Sequence, residues 1–152
     1  MVVGISYIYT FNFPFCIMYS TTIDIRVRYG ETDQMGYLYY GNYALYYEVG
    51  RTDAIRQLGF TYKELEDQGV IMPVAELQVK YLRPAYYDDV ITVKTTLKEL
   101  TTNHKIQFHS ELYNQKGELL NVGVTTLAII DAKSKTRMNL PEVMREKLAE
   151  YF

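Results

Sequence analysis

Residues 39–58 read YYGNYALYYEVGRTDAIRQL and carry the apolar pattern on which the rest of the architecture depends. Uncharged residues recur there at offsets of four, three, four and four, which is the spacing of one helical face. These positions are Tyr43, Tyr47, Gly50, Ala54 and Leu58, and the other sides of the first half are also apolar, at Leu45, Tyr46 and Val49. Because a helix that is apolar nearly all round is enclosed by other elements, the pattern predicts one long wrapped helix. Gly50 would allow a neighbouring element to approach it closely.

Alternating stretches on both sides of this helix predict strands. Residues 21–29 alternate apolar and polar side chains before the helix, and the alternation returns after it in residues 77–81, 91–97 and 106–112. Residues 118–130 are apolar on both faces, which is typical of a strand in the middle of a sheet. Short turns between these strands favour an antiparallel meander. The prediction is an α+β fold in which an antiparallel sheet wraps around one long central helix.

Two shorter helices complete the predicted elements. Residues 61–68 begin with Thr61 and have Glu64 three residues later, which is the pattern of a capping box. Pro141 suits the first turn of a C-terminal helix over residues 141–150.

Composition limits the possible functions. The chain has 152 residues, which fits one domain, and its formal net charge of −2 provides no basic excess for binding a nucleic-acid backbone. The single cysteine, Cys16, excludes an internal disulfide and favours a reducing, cytoplasmic location. The two histidines, His104 and His109, do not form a Cys/His cluster with zinc-site spacing, so no metal site is predicted.

Residues 1–19 form an N-terminal extension of unclear role, and residues 20–152 form the predicted domain. The extension is apolar and aromatic, and the first basic residue of the chain is Arg26, so it lacks the positive start of a secretory signal. It is short for a membrane span and is interrupted by Asn12 and Pro14, so no membrane span is predicted. It is interpreted either as the product of an upstream start site, with Met18 as the natural start of the domain, or as an extra edge strand.

Asp33 lies in the loop immediately before the long helix and is the candidate for catalysis. The start of a helix presents unpaired backbone N–H groups and a partial positive charge, which stabilise a developing oxyanion. A carboxylate beside such a helix start suits acyl transfer, because it can activate water or attack the acyl carbon directly. By position alone, however, an aspartate before a helix is more often a cap or a solvated charge.

The residues around Asp33 resemble a known family. Residues 26–51 read RVRYGETDQMGYLYYGNYALYYEVGR, which contains an acidic residue two positions before Asp33, a glycine, an aromatic pair and Asn42-Tyr43. This stretch, together with residues 79–85, resembles the hotdog-fold thioesterases of the 4-hydroxybenzoyl-CoA thioesterase type. It looks closest to the branch associated with the Tol-Pal cell-envelope system. The resemblance covers roughly residues 20–140.

The resemblance implies a fold, an activity and a site. It implies the hotdog fold, hydrolysis of a small or medium acyl-CoA thioester without metal or cofactor, and a homodimer or homotetramer with its active site between subunits. Asp33 matches the catalytic aspartate, and Tyr40 lies where a backbone N–H polarises the thioester carbonyl, although many members of the closest branch have histidine there. Gly36, Tyr39 and Tyr43 are the expected substrate-binding residues. The sixteen tyrosines agree with a subunit interface.

Several alternatives remain open from the sequence. A hotdog protein can bind an acyl-CoA or an acyl carrier protein without cleaving the thioester, or serve as a scaffold in an envelope or lipid-synthesis complex. A hydratase or dehydratase on this scaffold usually relies on a histidine, and residues 30–48 contain none. Another hotdog branch uses a helical glutamate, but Glu48 is interpreted as the partner of Arg51 in an i,i+3 ion pair.

Overall fold

The computed structural model describes residues 18–101 and 103–152, in which a five-stranded antiparallel sheet curls around one long helix. The strands are β1 (Tyr19–Arg26), β2 (Val70–Ile71), β3 (Val74–Tyr81), β4 (Val90–Leu97), β5 (Lys105–Tyr113), β6 (Leu119–Ala128) and β7 (Ile130–Asp131). The helices are α1 (Tyr43–Gln57), α2 (Tyr62–Asp67) and α3 (Glu142–Ala149). Most of the predicted N-terminal extension, residues 1–17, lies outside the described residues, and β1 starts one position before the predicted domain.

The order of strands corrects the predicted meander. The main sheet runs β1-β4-β5-β6-β3, and β2 pairs with β7 in a separate two-stranded sheet. Strands β4, β5 and β6 are consecutive neighbours as predicted, but β3 pairs with β6 at the far edge. The connection over residues 82–89 carries the chain from β3 at this edge to β4, three positions across the sheet. The predicted strand 118–130 divides into β6, which lies between two partners as expected, and β7.

The helix α1 starts later than predicted and is less completely enclosed. A short 3₁₀ helix, Tyr40–Asn42, precedes it, so the α-helix proper begins at Tyr43. Tyr43, Tyr46 and Tyr47 are buried against the sheet. Leu45 and Val49, however, are 52% and 42% exposed, because α1 packs against β1, β4 and β5 on one side only. The prediction of a helix wrapped on all sides was therefore wrong for this face.

The ends of the two shorter helices follow the predicted chemistry. Thr61 caps α2 by accepting a hydrogen bond from the Glu64 amide at 3.1 Å, and the Glu64 carboxylate accepts from the Thr61 amide at 2.8 Å. This reciprocal pair confirms the capping box. The C-terminal helix begins at Glu142, directly after Pro141.

Gly50 allows α1 to approach the sheet closely, as predicted. A Cβ atom at this position would lie 2.5 Å from Thr95 Oγ1 and 2.7 Å from Val93 Cγ1. We expect Gly50→Val to lower the free energy of unfolding by about 2 kcal/mol, because overpacking a tight contact costs about 1–3 kcal/mol and outweighs the better helix propensity of valine. Thermal unfolding followed by circular dichroism would measure this loss. The matched control is Gly30→Val, where an added Cβ meets nothing within 4 Å; equal losses in both variants would contradict the close contact.

Candidate functional site

A tight turn over residues 33–37 fixes one oxygen of the Asp33 carboxylate. Asp33 Oδ1 accepts hydrogen bonds from the amides of Met35 at 2.9 Å and Tyr37 at 3.3 Å, and the Asp33 amide donates to the Tyr37 carbonyl at 2.9 Å. Gly36 closes the turn with a φ of 78°, a conformation that favours glycine, and its amide donates to the Asp33 carbonyl. Within residues 18–101 and 103–152, nothing donates to Asp33 Oδ2. One oxygen is thus held in place while the other is free to bind water or substrate.

The chain continues from this turn into the start of the helix. The Tyr39 amide donates to the Glu31 carbonyl at 2.9 Å, and the Asn42 amide donates to the Tyr39 carbonyl at 2.9 Å, which closes the 3₁₀ turn. In the described part of the chain, no backbone or side-chain oxygen accepts from the Tyr40 amide. Free amides of this kind are expected at a helix start, where they bind anions and developing oxyanions.

Asp33 and Tyr40 line the same cavity, which has a volume of about 310 Å³. Tyr43, the third predicted site residue found there, contributes a buried aromatic wall. The remaining lining residues are Met35, Tyr37, Leu38, Tyr81, Leu82, Arg83 and Pro84. The structure therefore brings a half-buried carboxylate, a helix start and a mainly aromatic and apolar wall together around one space.

Two predicted site residues lie next to the cavity without lining it. Gly36 shapes the turn that holds Asp33, and it has no side chain to contribute. Tyr39 packs its ring against the ring of Tyr40 with a centroid distance of 4.6 Å. Gly36 and Tyr39 thus border the site, whereas Tyr40 and Tyr43 line the cavity itself.

Residues 81–84 line the cavity but were not assigned to the site from the sequence. The Tyr81 hydroxyl donates to the Tyr40 carbonyl at 3.2 Å, and the Tyr81 ring meets that of Tyr43 edge-on at 5.3 Å. Arg83 Nη1 donates to the Leu119 carbonyl at 3.0 Å, which fixes the guanidinium beside the cavity. The family resemblance of residues 79–85 indicated that this segment matters, but it did not indicate that the segment lies beside Asp33.

The helical Glu48 does not belong to this cavity. Its carboxylate lies 3.5 Å from Arg51 Nη2, which confirms the predicted ion pair. A larger open groove of about 820 Å³ lies on the opposite face of the sheet, around His109. Burial and the neighbouring Lys98 lower the pKa of His109, and Lys94 in the same groove pairs with Glu111 at 3.0 Å. The groove lacks the combination of a free carboxylate and a helix start that characterises the Asp33 cavity.

The described residues contain neither a candidate metal site nor a candidate membrane-spanning helix. Among residues 18–101 and 103–152, no three His, Cys, Asp or Glu side chains are grouped closely enough to hold a metal ion. In the same part of the chain, none of the helices combines the length and the apolar character needed to cross a membrane.

Comparison with known proteins identifies the family. Residues 27–148 match the family described as the thioesterase-like superfamily. The putative acyl-CoA thioesterase YneP of Bacillus subtilis is 36% identical over 117 residues, which cover 77% of this chain and 84% of the relative. The acyl-CoA thioester hydrolase YbgC of Escherichia coli is 27% identical over 118 residues, which cover 78% of this chain and 87% of that protein.

A solved structure agrees with these sequence relatives. The DHNA-CoA thioesterase from Staphylococcus aureus superposes with a TM-score of 0.81 at 35% identity, over 86% of this chain and 89% of that one. This confirms the predicted hotdog fold, and the relatives confirm the prediction of a thioester hydrolase at the level of the family. The chain belongs to the thioesterase-like superfamily.

Proposed function

We propose that this protein hydrolyses a small or medium acyl-CoA thioester to the free acid and coenzyme A. The observation that carries the proposal is that Asp33, with one free carboxylate oxygen, and the start of the helix at Tyr40 line one cavity. A base and an oxyanion donor on either side of a small space are the two groups that thioester hydrolysis requires. The names of the relatives support the same substrate class.

The reaction divides between these two groups. A thioester in the cavity directs its carbonyl oxygen toward the Tyr40 amide, which stabilises the negative charge that develops on that oxygen. Asp33 Oδ2 either takes a proton from the attacking water, which gives the free acid directly, or attacks the acyl carbon itself, which gives an acyl–aspartyl anhydride that water then hydrolyses to the free acid and the Asp33 carboxylate. Both routes expel coenzyme A as a thiolate. Because a thiolate is a good leaving group, this scheme needs neither a metal nor a cofactor. Tyr43 shapes the acyl side of the site. Gly36 supports the turn that holds Asp33, and Tyr39 supports the start of the helix.

The proposal includes self-association as a homodimer or homotetramer. On α1, Leu45 and Val49 are exposed, and on β3, Val74, Leu77 and Tyr81 are 52%, 41% and 50% exposed. Within the described residues β3 pairs with β6 on one edge, and its other edge has no partner strand. An open edge beside exposed apolar side chains suits a second copy of the chain, which would also cover the cavity at Tyr81.

We also propose a cellular location and a branch of the family for this protein. A cytoplasmic location is supported by the lone cysteine, Cys16, and by the class of substrate. Membership of the branch associated with the Tol-Pal system is supported by the motif around Asp33.

The main alternative is a non-catalytic protein that binds an acyl-CoA or an acyl carrier protein. Thiol release from a panel of acyl-CoA thioesters, from short aliphatic to aromatic, would separate the two. We expect turnover that depends on enzyme concentration for at least one member of the panel. The same acyl groups on an acyl carrier protein serve as a parallel panel. Measurable binding without thiol release from either panel would favour the binding protein.

A further inference from the structure

Glu31 is a buried charge that the proposed chemistry does not use. Its exposed fraction is 8%, and among residues 18–101 and 103–152 it is the only Asp, Glu, Lys or Arg that is buried. A carboxylate removed from water is costly unless charges and hydrogen bonds compensate it, so its surroundings need an explanation. Glu31 lies two positions before Asp33 in the same loop.

Four hydrogen bonds satisfy the Glu31 side chain. Oε1 accepts from Arg28 Nε at 3.0 Å and Nη2 at 2.6 Å, and Oε2 accepts from the Arg28 amide at 2.8 Å and the Tyr46 hydroxyl at 2.9 Å. Burial alone would raise the pKa of Glu31, but the bonds from Arg28 and Tyr46 outweigh it and hold the pKa below its ordinary value. Burial and the bond to Glu31 raise the pKa of Tyr46, so its hydroxyl stays protonated and donates.

The backbone of Glu31 is tied to the same part of the helix. Its carbonyl accepts from the Tyr39 amide at 2.9 Å and from Asn42 Nδ2 at 2.9 Å. Residues 39–42 contain the Tyr40 amide, and Tyr46 lies in the first turn of α1, which follows directly. Glu31 is therefore joined to Asp33 along the chain and to the start of the helix by three hydrogen bonds, of which its carbonyl accepts two and its carboxylate accepts one.

We propose that Glu31 is a positioning residue, which fixes the distance between the Asp33 carboxylate and the Tyr40 amide. This inference rests on the proposed function, because it assigns Glu31 to the geometry of the same reaction. Its physical basis is that a displacement of about 1 Å between reacting groups costs up to about 100-fold in rate. Glu31 touches neither substrate nor reacting atoms, so its effect passes through Asp33 and Tyr40.

The test compares Glu31→Gln, Glu31→Asp and Tyr46→Phe with the wild type in acyl-CoA hydrolysis. Glu31→Gln keeps the size of the side chain but loses the charge, and Tyr46→Phe removes one hydrogen bond. We expect kcat to fall about tenfold in Glu31→Gln and less in Tyr46→Phe, with KM within about threefold of wild type, because binding contacts are retained. Glu31→Asp keeps the carboxylate and should recover part of kcat. The double variant should be no slower than Glu31→Gln, since both changes break one network.

The matched control is Ile129→Val, at a buried position in an apolar cluster that also contains Phe108 and Met144 but not Tyr46. It is expected to lower Tm without changing kcat. Unchanged kcat in Glu31→Gln and Tyr46→Phe would overturn the positioning role, even if both variants unfold at lower temperature. It would leave the proposed function intact, because the wild type and Ile129→Val still turn over. Absence of turnover in the wild type would overturn the proposed function and this inference together.

Glu31→Gln gives a second readout, which is the pH dependence of stability. Because the pKa of Glu31 is lower in the folded protein, its ionised form stabilises the fold above the unfolded value of about 4.3. That contribution is lost as the pH falls through the folded value. The difference in Tm between wild type and Glu31→Gln should therefore be constant near neutral pH and shrink below about pH 4.3. A difference that does not change with pH would contradict the ionised network on which the positioning role depends.

Discussion

Asp33→Asn is expected to lower kcat for acyl-CoA hydrolysis about 1000-fold while leaving the fold and the affinity for coenzyme A in place. Asparagine has the same size, and its carbonyl oxygen can still accept from the amides of Met35 and Tyr37. The turn over residues 33–37 should therefore persist. What is lost is the charge and basicity of Oδ2, and a general base or nucleophile contributes about 10²–10⁴-fold to rate. Thiol release, coenzyme A binding by calorimetry and Tm would be measured on the same preparation.

The control for this substitution is Asp24→Asn. Asp24 is exposed on β1, where it accepts from the Thr92 hydroxyl, and it does not line the cavity. The identical chemical change there should leave kcat within about twofold of wild type. Turnover retained in Asp33→Asn would reject the assignment of Asp33, and it would direct attention to the other charged residue that lines the cavity, Arg83. Loss of coenzyme A binding together with turnover would instead indicate that the turn had collapsed.

The periodicity of the sequence predicted the elements better than their arrangement. Apolar spacing located α1 and the strands because local side-chain patterns reflect which face is buried. It did not reveal that β3 pairs with β6, since alternation marks a strand and carries no information about its partner. Nor did it reveal the 3₁₀ turn at Tyr40, which is stabilised by the carbonyl of Glu31, a residue outside the helix.

The candidate site was predictable only where its residues are close in sequence. Asp33, Tyr40 and Tyr43 lie within one motif, and the structure places all three around one cavity. Tyr81 and Arg83 reach the same cavity from the end of β3, so their place depends on the order of strands. In the sequence, Glu31 was identified only as the acidic residue two positions before Asp33. Its network became visible only when Arg28 and Tyr46 were found on its two oxygens.

Disruption of the proposed subunit interface should have the second large effect. We expect Leu45→Glu to convert an oligomeric wild type into a monomer and to lower kcat/KM about 100-fold. Leu45 is 52% exposed on α1, so a charge there is tolerated by the isolated chain but not by an apolar interface. Activity should fall because the cavity is lined by Tyr81 at the open edge of β3, where a second copy would exclude water from Asp33.

Light scattering after size exclusion, combined with thiol release and Tm, would test this expectation. Val143→Glu is the matched control, because Val143 is 50% exposed on α3 and does not line the cavity. This control should keep the wild-type mass and turnover. A monomeric wild type would reject the interface, and a fully active Leu45→Glu monomer would show that one chain holds the complete site. A monomer that remains folded but inactive would mean that Asp33 and Tyr40, although one chain brings them together, require a second chain to enclose the thioester.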